Sequence, residues 1–365
     1  MLRRLPSQMR KGARSLHGLK SRIGARAESF LEPVHRLELM VPATTSNLGP
    51  GFDCMALALD MHNHIVIERA DSFSMDIKGE GEWTLSRTEE NLIVKSAAKA
   101  LSVLGKPLPP LRIVCNNAVP PRRGLGSSSA AVVAGFAAGL ALGSKPLQAP
   151  ATKKLLMNLA AAEEDGDARK RHARVAPCVY GGFQLSFEDE VQWVTQRVEV
   201  PKGLQLVLFI PEDEASTARA REILPKGLSY ADTIHNISRA AMLVNCFATA
   251  QLSPLRFAME DALHQQHRAR LFPHCEPIIE AALKAGAHGA FLSGTGPTVV
   301  ALTGGDQGIA DVGSDTMSQF LAEAVSEEVV EAARRCGVRG SVHIAQPALD
   351  GITSAGYDSE GRRMW

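Results

Sequence analysis

The chain has 365 residues, with 40 Lys and Arg against 39 Asp and Glu, and a net charge of +1 that argues neither for nor against a polyanionic partner. A hydrophobic fraction of 45% beside 22% charged residues is that of a soluble globular protein with room for two cores, and no apolar run reaches membrane-spanning length. The six cysteines are scattered without a Cys-x-x-Cys pair, which argues against a disulfide framework or a zinc site and fits reduced thiols in an intracellular compartment.

The charge is unevenly placed. Arg3, Arg4, Arg10, Lys11, Arg14, Lys20, Arg22 and Arg26 precede the first acidic residue, Glu28, with serines interspersed and no long apolar stretch. Residues 1–34 therefore read as a transit-like extension addressing a plastid or mitochondrion; without such a role the chain would be cytoplasmic. A basic arm touching nucleic acid is the competing reading, and the absence of aromatic residues or a folded basic face weighs against it.

The folded part is expected from His35. Residues 37–41 read as a strand and 42–52 as a loop rich in Gly, Asn, Ser and Thr. Segments 65–70 and 73–77 resemble a hairpin pair of strands. Thr88 opens a helix with Glu89 and Glu90 in its first turn, ending near Leu104 before Gly105. After a strand at 111–114 the chain runs Pro120-Pro121-Arg122-Arg123-Gly124-Leu125-Gly126-Ser127-Ser128-Ser129-Ala130 into an apolar, helical stretch at 131–138. A helix over 152–164 ends in a carboxylate pair, and a buried strand at 204–210 leads to Pro211, a plausible boundary.

Beyond it, helical patterns occupy 215–224, 230–249, 254–271 and 277–285. Two short strands, 289–292 and 298–302, flank Ser293-Gly294-Thr295-Gly296-Pro297. A surface insertion at 303–314, a helix at 318–335 and a strand at 341–345 complete the pattern. Strands and helices mix without strict βαβ alternation, so the expected class is α+β.

A strand, a glycine-rich loop and a helix start form a ready anion site. The unpaired amides of the first helical turn point outward, the helix dipole adds positive potential, and glycines let the backbone approach a ligand. The loop lacks the Gly-Lys-Ser/Thr ending of a P-loop, and Ser129 stands where a dinucleotide fingerprint has its third glycine. By itself the serine cluster could do no more than cap the helix.

The three loops 42–53, 120–130 and 293–297, in this order, resemble those of the GHMP small-molecule kinases. Segment 42–53, Pro-Ala-Thr-Thr-Ser-Asn-Leu-Gly-Pro-Gly-Phe-Asp, is similar to the first motif of the homoserine kinase branch almost throughout. Segments 216–225 and 268–273 are similar to two further stretches of that branch. The resemblance covers about 35–345. It implies a two-domain fold: a ribosomal protein S5 domain 2-like N-terminal domain (35–210) and a ferredoxin-like C-terminal domain (211–350), followed by a tail (351–365).

The same resemblance implies ATP and Mg²⁺ as cofactors, L-homoserine as substrate, O-phospho-L-homoserine as product in threonine biosynthesis, and a homodimer with neither nucleic-acid nor membrane partners. Pro120, Gly124, Leu125, Gly126, Ser127, Ser128, Ser129 and Ala130 would cradle the ATP phosphates. Ser128 and Glu163 would hold the magnesium, a hard ion satisfied by one hydroxyl, one carboxylate and waters; Glu164 or Asp165 could replace Glu163. Asn47 and Asp53 would take the substrate ammonium, Arg221 and Arg268 its carboxylate through the guanidinium fork. Gly294 and Gly296 would form a second wall near the phosphates. Ser128, Glu163 and Arg221 are thus the candidate catalytic residues, and the resemblance supplies no general base.

Two departures stand out. Where the family has Asp-Asn before Val-Ala-Pro, this chain has Ala173 and Arg174 before Val175-Ala176-Pro177, after the basic run Arg169-Lys170-Arg171. Positive charge beside a substrate ammonium is unfavourable in a desolvated site. That leaves three readings: a different small alcohol as substrate, an inactive nucleotide-binding homologue, or an error in the sequence across this segment. Arg122-Arg123 also replace a small, glycine-containing pair, and both could reach phosphate.

Overall fold

A computed structural model describes residues 33–163, 172–189, 193–305 and 314–365. The basic extension up to residue 32, the run at 169–171, Glu164, Asp165, and 306–313 of the expected insertion lie outside the described residues.

The first sheet has seven strands. β1 (Arg36–Ser46) and β2 (Met55–Arg69) pair antiparallel, with Leu37 opposite Ile67 and Leu39 opposite Ile65. Their apolar side chains alternate onto one face and are almost wholly buried. The register shifts between Pro42 and Ala43, as expected where a proline removes a ladder donor. Both strands run longer than expected. Residues 42–46 extend β1 rather than opening a loop, and 55–64 extend β2 despite Asp60, His62, Asn63 and His64.

The expected hairpin of 65–70 with 73–77 does not form. β4 (Leu111–Asn117) lies between them, antiparallel to β2 and parallel to β3 (Ser74–Gly79). A parallel pair needs a long crossover, and α1 (Leu92–Val103) supplies it. α1 begins after Glu89 and Glu90, because Asn91 is its cap and Oδ1 accepts from the amide of Ile93 at 3.0 Å.

α2 (Ser127–Leu142) is apolar on every side and buried along most of its length. Its glycines let it lie against α1. A Cβ on Gly135 would stand 2.4 Å from the Ile93 carbonyl oxygen, and one on Gly139 2.4 Å from that of Ala97. α3 (Pro150–Glu163) and α4 (His172–Tyr180) complete this layer. α4 and the hairpin of β5 (Phe183–Glu188) with β6 (Trp193–Val198) had no clear signal in the sequence.

The chain passes to the second sheet between Val198 and Leu204, ahead of Pro211. Its strand order is β10 (Gly340–Ala345), β7 (Leu204–Pro211), β9 (Val299–Gly304), β8 (Gly289–Leu292), all antiparallel. Between β7 and β8 lie α5 (Thr217–Glu222), α6 (Tyr230–Thr249), α7 (Leu255–Ala258), α8 (Gln265–Arg268) and α9 (Cys275–Lys284); α10 (Ser314–Arg335) follows β9. One face of the sheet packs on α9 and α10 through Phe209, Leu292, Ile278 and Val325. The other joins Leu206, Leu208 and Phe291 to Leu57 and Phe183 of the first sheet in one apolar core.

Residues 353–357 return to the first sheet as β11 (Thr353–Tyr357), beside β1. The helix expected over 254–271 is two single turns. Asp261 interrupts it by accepting the amides of Leu263, His264 and Gln265. Among the described residues no helix is long and apolar enough to cross a membrane.

Candidate active site

The glycine-rich loop joins β4 to α2. Asn63 Oδ1 accepts the amides of Ala118 and Val119, both at 3.0 Å, and so fixes the exit from β4. Arg123 anchors the loop from below, donating to the carbonyls of Pro211 (2.7 Å), Pro121 (3.2 Å) and Glu212. Gly124 (φ +82°) and Gly126 (φ +74°) are left-handed, and Gly126 is the cap of α2. A Cβ on Gly126 would meet Thr44 Oγ1 at 2.1 Å, and one on Gly124 would meet the Ser293 carbonyl oxygen at 2.4 Å. Only glycine fits either place. Ser127 is half-buried, Ser128 exposed and Ser129 buried, while Leu125 and Ala130 pack beneath.

This loop lines a cavity of about 580 Å³, a size suited to a small organic ligand. Ile77, Leu85 and Ile93 provide an apolar wall, while Gly124, Gly126 and Ser128 bring the start of α2. Glu163, Arg174 and Thr217 face the same space. Glu163, the last residue of α3, forms an ion pair with Lys99 of α1. The Ser128 hydroxyl and the Glu163 carboxylate are hard oxygen donors on one cavity, the set that magnesium with phosphate and water requires. Among the described residues no cluster of three or more His, Cys, Asp or Glu could enclose a metal without such help.

The expected acceptor residues converge from three distant segments. Asn47 (φ +76°) and Asp53 (φ +58°) bracket a tight loop after β1. The Asn47 amide nitrogen donates to the Gly294 carbonyl at 2.8 Å, and its Oδ1 accepts the Asp53 amide at 3.1 Å. Arg221 of α5 reaches across to Asp53, with Nη1 on Oδ2 and Nη2 on Oδ1 at 2.9 Å each. Gly294 and Gly296 are left-handed, and a Cβ on Gly296 would strike the Phe272 ring at 2.6 Å.

Arg268 is placed differently from Arg221. It has no exposed surface, and donates to the carbonyls of Gly294 (2.7 Å) and Ala220 (3.0 Å) and to His264 Nδ1 (3.2 Å). His264 is likewise buried, and its Nε2 donates to the Gly49 carbonyl at 2.8 Å. Those partners define a neutral imidazole with its proton on Nε2. Burial, with the adjacent Arg268 charge, holds the His264 pKa down to about 4 despite the nearby Asp261. Burial, followed by the Arg221 charge, draws Arg268 down to about 10. Phe52 lies within 5.4 Å of the Arg268 guanidinium and 5.9 Å of that of Arg221. Phe52, His264 and Lys99 were not singled out in the sequence; Phe52 lies inside the first motif, which is the one signal that could have found it.

The acceptor cluster and the phosphate loop are tied together. Thr45 Oγ1 and Ser293 Oγ are 2.8 Å apart, and Ser293 Oγ donates to the Gly124 carbonyl at 2.8 Å. The Gly294 amide bonds the Ser46 carbonyl at 3.0 Å. The distal glycine-rich turn thereby holds the first and second loops in register. At the departure from the family pattern, Ala173 and Arg174 are both buried in the first turn of α4.

Comparison with known proteins agrees with this geometry. Residues 91–182 match the GHMP kinases N terminal domain, and residues 248–327 the GHMP kinases C terminal domain. The homoserine kinase of Moorella thermoacetica is 39% identical over 293 residues, which is 80% of this chain and 95% of that one. That of Desulfitobacterium hafniense is 32% identical over 315 residues, covering 86% and 98%. The crystal structure of homoserine kinase from Cytophaga hutchinsonii superposes with a TM-score of 0.74 at 26% identity, over 91% of this chain and all of that one. The mevalonate kinase of L. major shares the fold, with a TM-score of 0.58 at 16% identity over 87% of this chain and 97% of that one.

Proposed function

The chain belongs to the GHMP kinases, in their homoserine kinase branch, and on that premise we propose that it transfers the γ-phosphoryl group of ATP to the side-chain hydroxyl of L-homoserine. The observation that carries the reading is the Thr45–Ser293–Gly124 tie, which sets a zwitterion-matching pair, Asp53 and Arg221, beside a glycine-rich helix start. Homoserine brings an ammonium for Asp53, helped by Asn47, and a carboxylate for the Arg221 fork. Arg268 braces Gly294 from beneath as well as adding positive charge near the carboxylate.

The acceptor oxygen attacks phosphorus in line as the bond to the ADP oxygen breaks, and its proton passes to phosphate, so no side chain acts as base. The chain's own task is to position and to clamp charge. The amides of 124–129 would hold the phosphates, and Ser128 and Glu163 would hold magnesium, whose charge would offset the negative charge of the phosphates. The product, O-phospho-L-homoserine, belongs to threonine synthesis.

The reading is tested by coupled ADP release with homoserine, mevalonate and galactose, with the product identified by phosphorus NMR. Turnover confined to homoserine is expected; a different preferred alcohol would replace the substrate, and no turnover would leave a nucleotide-binding protein. Light scattering of the purified chain tests the proposed homodimer. Fusion of residues 1–34 to a fluorescent reporter tests organelle targeting.

A further inference from the structure

We propose that the solvent-facing side of α6 is the contact by which two copies of this chain pair, helix against antiparallel helix, about a two-fold axis at the level of Arg239. This rests on the homodimer proposed above and says where it forms. α6 is docked on the core by one face. Leu243, Cys246 and Phe247 are buried there, and Asn236 is fixed by Asp261 and by the Ala262 amide at 2.8 Å each. A helix held in this way ordinarily turns polar residues outward.

α6 instead carries a second apolar stripe. Tyr230, Ile234, Ile237, Ala241, Val244 and Ala248 recur at alternating intervals of four and three along the whole helix, the a/d spacing of a helix-pairing seam. Tyr230 is 84% exposed, Ile234 50% and Ile237 65%, while Ala241 and Ala248 are exposed and Val244 is half-buried. Apolar residues scattered singly on a surface need no partner, but a continuous strip about 30 Å long does.

The occupant follows from the order of the side chains. The intervals read the same from either end, so an antiparallel copy meets them layer for layer. In that pairing Tyr230 of one copy faces Ala248 of the other, Ile234 faces Val244, and Ile237 faces Ala241. Outer and inner layers thus set a large side chain on an alanine, which lets the two helices approach closely.

A two-fold axis also brings like charges together wherever a charge lies on the contact. No seam position of α6 is charged, and Thr233, Ser238 and Asn245 flank the seam as neutral residues. The charged side chains of the helix are engaged away from it: Arg239 and His235 turn to Glu260, and Asp232 accepts from the Ser229 hydroxyl. A highly charged partner finds no counter-charge on this seam, whereas an identical copy finds its complement.

Analytical ultracentrifugation of the full chain over a concentration series tests this, with Ile237→Arg, Ile237→Ala and the double variant that adds Ala241→Ile to Ile237→Ala. The wild type should sediment as a dimer. Ile237→Arg should weaken association at least about a hundredfold and Ile237→Ala about tenfold. The double variant puts a large side chain back against a small one in the same layer, and should recover most of the wild-type affinity. Ile237 is exposed in the single copy, so all three variants should keep the wild-type circular dichroism; should Ile237→Arg lose it, the other two decide.

A dimer that Ile237→Arg leaves intact would place the interface elsewhere and retain the homodimer, whereas a wild type monomeric at about 100 μM would remove both. A double variant no tighter than Ile237→Ala would overturn the antiparallel register. If only a chain lacking residues 1–34 dimerises, the basic extension covers the seam in place of a second copy, and the proposal fails. ADP release with homoserine is read separately, so none of these outcomes bears on the kinase reading.

Discussion

Arg221 and Asp53 hold each other through two parallel hydrogen bonds of 2.9 Å, although 168 positions separate them in the chain. Both side chains keep about a fifth of their surface, 19% for Arg221 and 22% for Asp53, so the pair is reachable from solvent. The arrangement is self-complementary to an amino acid, because its ammonium and carboxylate present the same two charges in the opposite sense. On the proposed function, substrate entry would exchange one pair of charge-assisted contacts for two and keep both side chains compensated throughout.

Removing either member should therefore act on the acceptor and spare the nucleotide. Arg221→Ala leaves the Asp53 carboxylate without its fork, and Arg221→Lys keeps the charge but not the planar bidentate geometry. KM for homoserine is expected to rise about a hundredfold in Arg221→Ala and about tenfold in Arg221→Lys, with KM for ATP nearly constant. Asp53→Asn should match the alanine variant. Steady-state kinetics with each substrate varied separately checks the split; an equal rise in KM for ATP would place the pair elsewhere in the reaction.

Gly126→Ala should damage the nucleotide side in the converse manner. The left-handed backbone at φ +74° costs a Cβ-bearing residue roughly 1–2 kcal/mol, and the new methyl has only 2.1 Å to Thr44 Oγ1. Relief requires the loop to move away from β1, which spoils the alignment of the first helical amides. ATP affinity is expected to fall about tenfold or more with little change for homoserine, measured by calorimetry with each ligand alone.

How far this site could be read beforehand depends on what each residue answers to. The helix-start loop obeys local rules, since glycines, serines and an apolar helix adjoin in sequence. Its residues therefore came together as expected. The acceptor cluster obeys them only in part: Asn47 and Asp53 share a loop, while Arg221 and Gly294 arrive from the second sheet's connections.

Arg268 carried the expected charge, but its burial beneath Gly294 depends on three packed segments and is invisible to local pattern. The expected hairpin that does not form shows the same limit. Alternation identified β3, yet nothing local says that β4 will insert between it and β2. β2 is longer than the strand expected at 65–70, because Asp60, His62, Asn63 and His64 break an apolar run that tertiary pairing tolerates.

Glu163 offers a separable prediction about the metal. Its carboxylate is paired with Lys99 and faces the phosphate cavity. Glu163→Gln keeps the shape and removes the charge. It should lower kcat about a hundredfold and raise the magnesium concentration needed for half-maximal rate, while Mg-free AMP-PNP binding changes little. A magnesium titration at saturating ATP reads this directly, and an unchanged titration midpoint would remove Glu163 from the metal site.

The buried imidazole of His264 gives the fold a predictable response to acid. Its pKa is about 4 in the folded chain and 6.5 when exposed, so between these values the unfolded state binds a proton that the folded state refuses. Stability therefore rises with pH through that window. The contribution is fully present above pH 6.5 and is lost as pH falls toward 4. Asp261, whose pKa is lowered because His264 and several donors outweigh the cost of burial, adds a loss in the same direction at still lower pH. His264→Gln removes the titrating group while retaining an amide that can donate to the Gly49 carbonyl. The variant should be less stable than the wild type at pH 8, since Gln cannot both donate there and accept from Arg268 with the same geometry. Its unfolding free energy should nonetheless decline less steeply from pH 6.5 to 4.5. Urea melts at half-unit steps measure both curves; parallel slopes would mean that His264 takes up its proton as readily in the folded chain as in the unfolded one, and that its Nδ1 does not stay an acceptor for Arg268.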